Sequence, residues 1–115
     1  AAEGYDVALV NPRFIKPLDA AVTEFFGGAA DVLVTMEDGV LQGGYGSAIL
    51  ELLSDRRITT PVVQIGWPDQ FIEHASTPEE LRTKYGLTVE NTVARVRAEF
   101  ARATVNVQTA VAQLR

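Results

Sequence analysis

The stretch Val32-Leu-Val-Thr-Met-Glu-Asp-Gly-Val-Leu-Gln-Gly-Gly-Tyr-Gly-Ser47, continued by Ala48-Ile-Leu-Glu-Leu-Leu53, reads as a strand, a glycine loop and a helix in direct succession. Residues 32–35 are a continuous apolar and β-branched run, the pattern of a strand covered on both faces, and the acidic pair Glu37 and Asp38 closes it. Gly43, Gly44 and Gly46 then permit a backbone path or a close approach that a Cβ would block. The helix that follows carries Ala48, Ile49, Leu52 and Leu53 on one face. In open α/β sheets, ligands and partner domains dock at the carboxyl ends of strands, so this loop is the first place to look for chemistry.

The usual chemical readings of such a loop do not fit these residues. A phosphate-cradling loop needs Lys and then Ser or Thr after its last glycine, whereas Gly46 is followed by Ser47 and Ala48. A dinucleotide fingerprint would need a third glycine or an alanine where Ile49 stands. Ser47 is no nucleophile-elbow serine, because Tyr45 and Ile49 occupy the two flanking glycine positions. A bare phosphate or carboxylate on the free N–H groups at the helix start stays open. The favoured reading is packing, with the glycines seating the helix on the sheet or on a neighbouring domain.

The chain has 115 residues, 47% of them hydrophobic, which suits one domain with a sizeable core. No run approaches a membrane span, and no signal-peptide pattern opens the chain, so a soluble, cytoplasmic protein is expected. A net charge of −5 argues against nucleic acid or an anionic membrane as partner. Cysteine is absent, which removes disulfide and thiol chemistry, and a single histidine leaves zinc without its usual ligands.

Strands and helices alternate along the sequence. Residues 7–10 read as a strand ending at Asn11-Pro12; Pro17-Leu18-Asp19 opens a helix with Leu18, Val22, Phe25 and Phe26 on one face, and Gly27-Gly28 stops it. Pro61 leads into a buried strand over 62–65 that Gly66-Trp67-Pro68-Asp69 ends. This alternation predicts a mostly parallel sheet with right-handed crossovers, a three-layer α/β/α sandwich. Thr77-Pro78-Glu79-Glu80 is a capping box and Gly86 ends the helix it starts. Thr88 caps a long last helix whose Val89, Val93, Val96, Phe100, Ala103, Val107, Ala110 and Leu114 alternate spacings of four and three. Residues 101–115 form a helical extension with two charges, both arginine, and are expected to pack against something. At the other end, Ala1-Ala2-Glu3-Gly4 looks like the last turn of a helix closed by a glycine cap, so residues 1–115 are expected to be a single domain cut from a larger protein. Both ends favour self-association, with a homodimer burying Val107, Val111 and Leu114 as the expectation.

Four segments in order resemble the C-terminal domain of transketolase-like, thiamine diphosphate-dependent enzymes: Val10-Asn-Pro-Arg-Phe-Ile-Lys-Pro-Leu-Asp19, Val34-Thr-Met-Glu-Asp38, Gly43-Gly-Tyr-Gly-Ser47 and Ile65-Gly-Trp-Pro-Asp-Gln-Phe-Ile-Glu-His-Ala-Ser76. The fourth looks most like the 1-deoxy-D-xylulose-5-phosphate synthase family, with Trp67 in place of the usual smaller aliphatic and Ala75 in place of the usual glycine. The resemblance spans roughly residues 4–100. It implies a parent transferase that condenses pyruvate with glyceraldehyde 3-phosphate, releases carbon dioxide, and feeds isoprenoid, thiamine and pyridoxal synthesis. It further implies that thiamine diphosphate carries the hard chemistry with Mg2+. The cofactor and metal sites of that family lie in its N-terminal and middle domains, so this chain is expected to bind neither and to be inactive alone. Its implied partners are the N-terminal domains of the same polypeptide and a second copy, and its implied role is to shape and support the dimer.

The remaining site candidates read as structural first. Glu37 and Asp38 lack the second cluster of oxygen ligands that a metal or acid–base pair would need. His74, between Glu73 and Ala75, reads as a loop anchor before a general base, and Arg13 and Lys16 as salt-link residues before phosphate contacts. Two alternatives stay open: a free-standing anion-binding module using Gly43, Gly44, Gly46 and Ser47, and the same domain in a 2-oxo acid dehydrogenase E1 β subunit or a transketolase.

Overall fold

A computed structural model of the chain describes residues 3–74 and 76–113, with the side chains of its last helix as far as Ala103. Six elements follow in order: α1 (Ala20–Ala29), β1 (Leu33–Val40), α2 (Tyr45–Asp55), β2 (Val62–Trp67), α3 (Pro78–Tyr85) and α4 (Val89–Gln113). β1 and β2 pair in parallel, Leu33 opposite Val62 and Thr35 opposite Gln64. Paired residues share a face of the sheet. Thr35 and Gln64 both abut Gly46 of α2, so α2 covers that face, and α1 leans on α2. α4 packs on β2, whose alternate residues Val63 and Ile65 are buried. The result is helix, parallel sheet and helix in three layers, with Ile49, Leu53, Val63 and Ile65 as its core.

Local chemistry sets the element ends. The Asp19 carboxylate accepts from Val22 N–H at 3.0 Å and caps α1. In α3, Thr77 and Glu80 form the reciprocal capping box, and Gly86 closes the helix in the left-handed conformation at φ 80°. Thr88 Oγ1 accepts from Asn91 N–H at 3.2 Å at the start of α4. Gly4, at φ 83°, has the backbone of a helix-closing glycine.

Four sequence expectations need correction. Residues 7–10 form no strand: they have no ladder partner among the described residues, and Leu9 is 98% exposed. The residues just before them lie against α4, through Tyr5 on Phe100 and a Glu3–Arg97 ion pair. A strand exists through its neighbour's hydrogen bonds, and hydrophobicity alone supplies none. α1 does not stop at Gly27-Gly28. It runs on to Ala29, because Gly27 is the residue that lets Leu53 and Ile58 approach; a Cβ there would lie 2.6 Å from Leu53 Cδ2. The buried side of α1 is consequently Thr23 and Gly27, while Phe25 is exposed. β1 does not end at the acidic pair but continues to Val40, and β2 continues to Trp67. Finally, Val89 is exposed, so the apolar stripe of α4 begins at Val93. The expected dimer contacts Val107, Val111 and Leu114 lie outside the described side chains.

Candidate functional site: the glycine loop and the bulge beneath it

Between Met36–Ile65 and Val40–Trp67 the pairing slips, so that three residues of β1, at positions 37–39, oppose Gly66 alone. Such a bulge re-aims side chains at the end of a strand. Gly66 makes the room for it: a Cβ at this position would stand 2.8 Å from Leu41 Cδ2 and 3.0 Å from the Gly39 carbonyl oxygen. An isolated glycine inside an apolar strand run was the signal for this close approach.

The bulge separates the acidic pair. Glu37 turns to the first turn of α2, where Oε2 accepts from Tyr45 N–H at 2.8 Å and Oε1 from Gly46 N–H at 3.0 Å. Gly44, the N-cap, offers no side chain, and Glu37 supplies the missing acceptor from across the loop. The helix dipole favours negative charge at this end as well. Asp38 points elsewhere: it accepts from Trp67 Nε1 at 2.7 Å and from Arg82 Nη2 at 3.2 Å. The Trp67 hydrogen bond, with the Arg82 charge and hydrogen bond added, holds its carboxyl below the ordinary 3.8 against desolvation.

The glycines divide the work. Gly43 adopts φ 72°, the left-handed conformation, and donates its N–H to Ser47 Oγ at 3.1 Å. Ser47 in turn donates to the Leu41 carbonyl at 2.7 Å, so its hydroxyl staples the loop in both directions. Gly44 and Gly46 have ordinary φ and are needed for space: a Cβ on Gly44 would collide with Glu37 and the Val40 carbonyl, and one on Gly46 would stand 2.7 Å from Thr35 Oγ1. Thr35 Oγ1 and Gln64 Nε2, pressed against Gly46, are buried without a hydrogen-bond partner among the described residues.

An open cleft of about 770 Å³ lies over this loop, lined by Ile15, Lys16, Leu18, Val40, Tyr45 and Leu52 among others. Burial, with the Asp19 charge second, raises the Tyr45 phenol above its ordinary range. His74 lies apart in the β2–α3 connection, exposed and without a hydrogen bond or ion pair among the described residues. Ala75 lies outside them. Arg13, at φ 55°, and Lys16 form no ion pair among the described residues either. The structure thus joins Glu37, Gly43, Gly44, Gly46 and Ser47 in one hydrogen-bonded unit and leaves Asp38 and His74 out of it. Among the described residues no group of three or more His, Asp or Glu comes together that could hold a metal ion. No described helix is long and apolar enough to cross a membrane.

The chain matches a known family over most of its length. The family model for the transketolase C-terminal domain matches residues 1–92. The chain belongs to this family. Among curated proteins, the transketolase C-terminal domain described here is 54% identical over 88 residues to 1-deoxy-D-xylulose-5-phosphate synthase of Methylacidiphilum infernorum, covering 76% of the chain and 14% of that protein. It is 47% identical over 90 residues to the protein of the same name from Acidobacterium capsulatum, covering 78% of the chain and 14% of the relative. The synthase of Thioalkalivibrio sulfidiphilus is 48% identical over 100 residues, which is 87% of the chain and 16% of the relative. The domain therefore spans about one seventh of the length of these relatives.

The donor set of this domain does not suit thiamine diphosphate and Mg2+. The Tyr45 and Gly46 amides of α2 are taken by Glu37, the Gly43 amide by Ser47, and no described carboxylate cluster converges for a cation.

Proposed function

We propose that the chain is the accessory C-terminal domain of a 1-deoxy-D-xylulose-5-phosphate synthase, a cytoplasmic thiamine diphosphate-dependent transferase. The parent condenses pyruvate with glyceraldehyde 3-phosphate, with loss of carbon dioxide, to form 1-deoxy-D-xylulose 5-phosphate for isoprenoid, thiamine and pyridoxal synthesis. Cofactor and Mg2+ are held by other domains of the same polypeptide, and this domain supports the homodimer. The observation that carries the reading is the identity of 43–54% with relatives bearing this name, over 76–88% of the chain. The geometry supports the accessory part. The Gly43, Tyr45 and Gly46 amides and the Ser47 hydroxyl are each matched by another group of the domain, so the loop serves to fix α2 on the sheet. A transketolase or a 2-oxo acid dehydrogenase β subunit as parent is less well supported, since the relatives described above all carry the synthase name.

A chimera tests this reading directly. Replacing the matching segment of the Methylacidiphilum infernorum protein with this chain should give a soluble dimer with synthase activity near that of the parent. A folded chimera that forms no 1-deoxyxylulose 5-phosphate would overturn the assignment.

A further inference from the structure

We infer that α3 is a strap latched over the carboxyl end of the sheet, able to lift away while the core stays folded. Its helical form owes nothing to the core. The Thr77 hydroxyl accepts from Glu80 N–H at 3.3 Å, the Glu80 carboxylate accepts from Thr77 N–H at 2.9 Å, and Gly86 closes the last turn. None of its eight residues is buried. Early in the connection from β2, Phe71 is fully exposed, and Gln70 N–H bonds back to the Pro68 carbonyl at 2.9 Å. The far end is a pivot, for Asn91 Nδ2 of α4 holds the Gly86 carbonyl at 2.7 Å. Lys84 and Tyr85 both engage Glu73 of the incoming loop, so those contacts travel with the strap.

Two contacts latch it to the sheet. Arg82 meets Asp38 at 3.2 Å, with both side chains well exposed, and Tyr85 meets Trp67 edge-on at 6.0 Å between ring centroids. Trp67 also donates to Asp38, which makes one three-sided catch of Asp38, Trp67 and the α3 pair Arg82 and Tyr85. An exposed ion pair contributes little net stability, and one aromatic pair adds modestly to it. The sheet beneath is held by buried aliphatic side chains from α2 and β2. Segments tied by so few apolar contacts open at a free energy below that of global unfolding. Lifting α3 frees the Trp67 ring from Tyr85 and the Asp38 carboxylate from Arg82.

Hydrogen exchange on the intact chain, read by mass spectrometry, tests the strap. Amides of α3 should exchange about tenfold or more faster than those of β2 once intrinsic rates are removed. Arg82→Ala should speed α3 several-fold further and leave β2 unchanged. Trp67 is the only tryptophan, so its fluorescence should also move in Arg82→Ala with no change in far-ultraviolet dichroism. Equal protection of α3 and β2, or an Arg82→Ala effect of equal size on both, would overturn the inference.

Discussion

Glu37 is one residue with two hydrogen bonds to the first turn of α2, and its loss should be felt as a lost cap. Glu37→Ala is expected to lower unfolding stability by about 2 kcal/mol, the scale of charged hydrogen bonds to backbone N–H groups. Urea unfolding would check this, with Glu37→Gln retaining part of the loss. At Gly44 the obstacle to a side chain is steric, since φ is −85°, so Gly44→Val should cost about 1–3 kcal/mol by overpacking against Glu37 and the Val40 carbonyl. A Gly44→Val protein that melts like the wild type but has lost affinity for a phosphate compound would revive the anion-site reading. The packing role of these glycines was legible from the motif tests, because Ser47 and Ile49 fail each phosphate and nucleophile pattern. That Glu37 caps α2 was not. Sequence spacing places Glu37 and Asp38 side by side, and the bulge that parts them depends on Gly66 in a strand almost thirty residues away.

Among the elements, those with local signals were read well. The capping box at Thr77, the closing Gly86 and the Thr88 cap of α4 are decided within a few residues of sequence. The elements misread are those decided by a neighbour: residues 7–10 have a strand's composition and no ladder, and Gly27 marks a helix–helix contact where the sequence suggests a stop. At this scale α3 carries a pH dependence. Asp38 lies below its ordinary 3.8 because of Trp67 and then Arg82, and Glu73 below its ordinary 4.5 chiefly because of Lys84. Glu80 lies below the same 4.5 because the Thr77 N–H bonds to it. A carboxyl whose folded pKa is depressed stabilises the fold above its unfolded pKa, and that contribution fades as pH falls through the folded value. Helix α3 and its latch should thus be unaffected between pH 7 and 5 and loosen below about pH 4, ahead of the core. Trp67 fluorescence followed with far-ultraviolet dichroism across that range would show it, the former moving first.

At the scale of the whole molecule the chain leaves much apolar surface uncovered: Val7 is 70% exposed, and Phe14, Phe25 and Met36 are exposed with it. Helix α4 adds a 25-residue rod, about 37 Å long at the usual rise, which exceeds the 30 and 27 Å short dimensions of the molecule. We expect a dimer that depends on residues beyond Phe100. Light scattering on the chain and on a version ending at Phe100 should show association lost on truncation, and a monomer in both would remove the expectation. On the proposed reading this domain holds α2 and the sheet in place, while cofactor chemistry belongs to other domains. Isothermal calorimetry of the isolated chain with thiamine diphosphate and Mg2+ tests it most directly. The account predicts no saturable heat, and saturable binding at micromolar cofactor would contradict it.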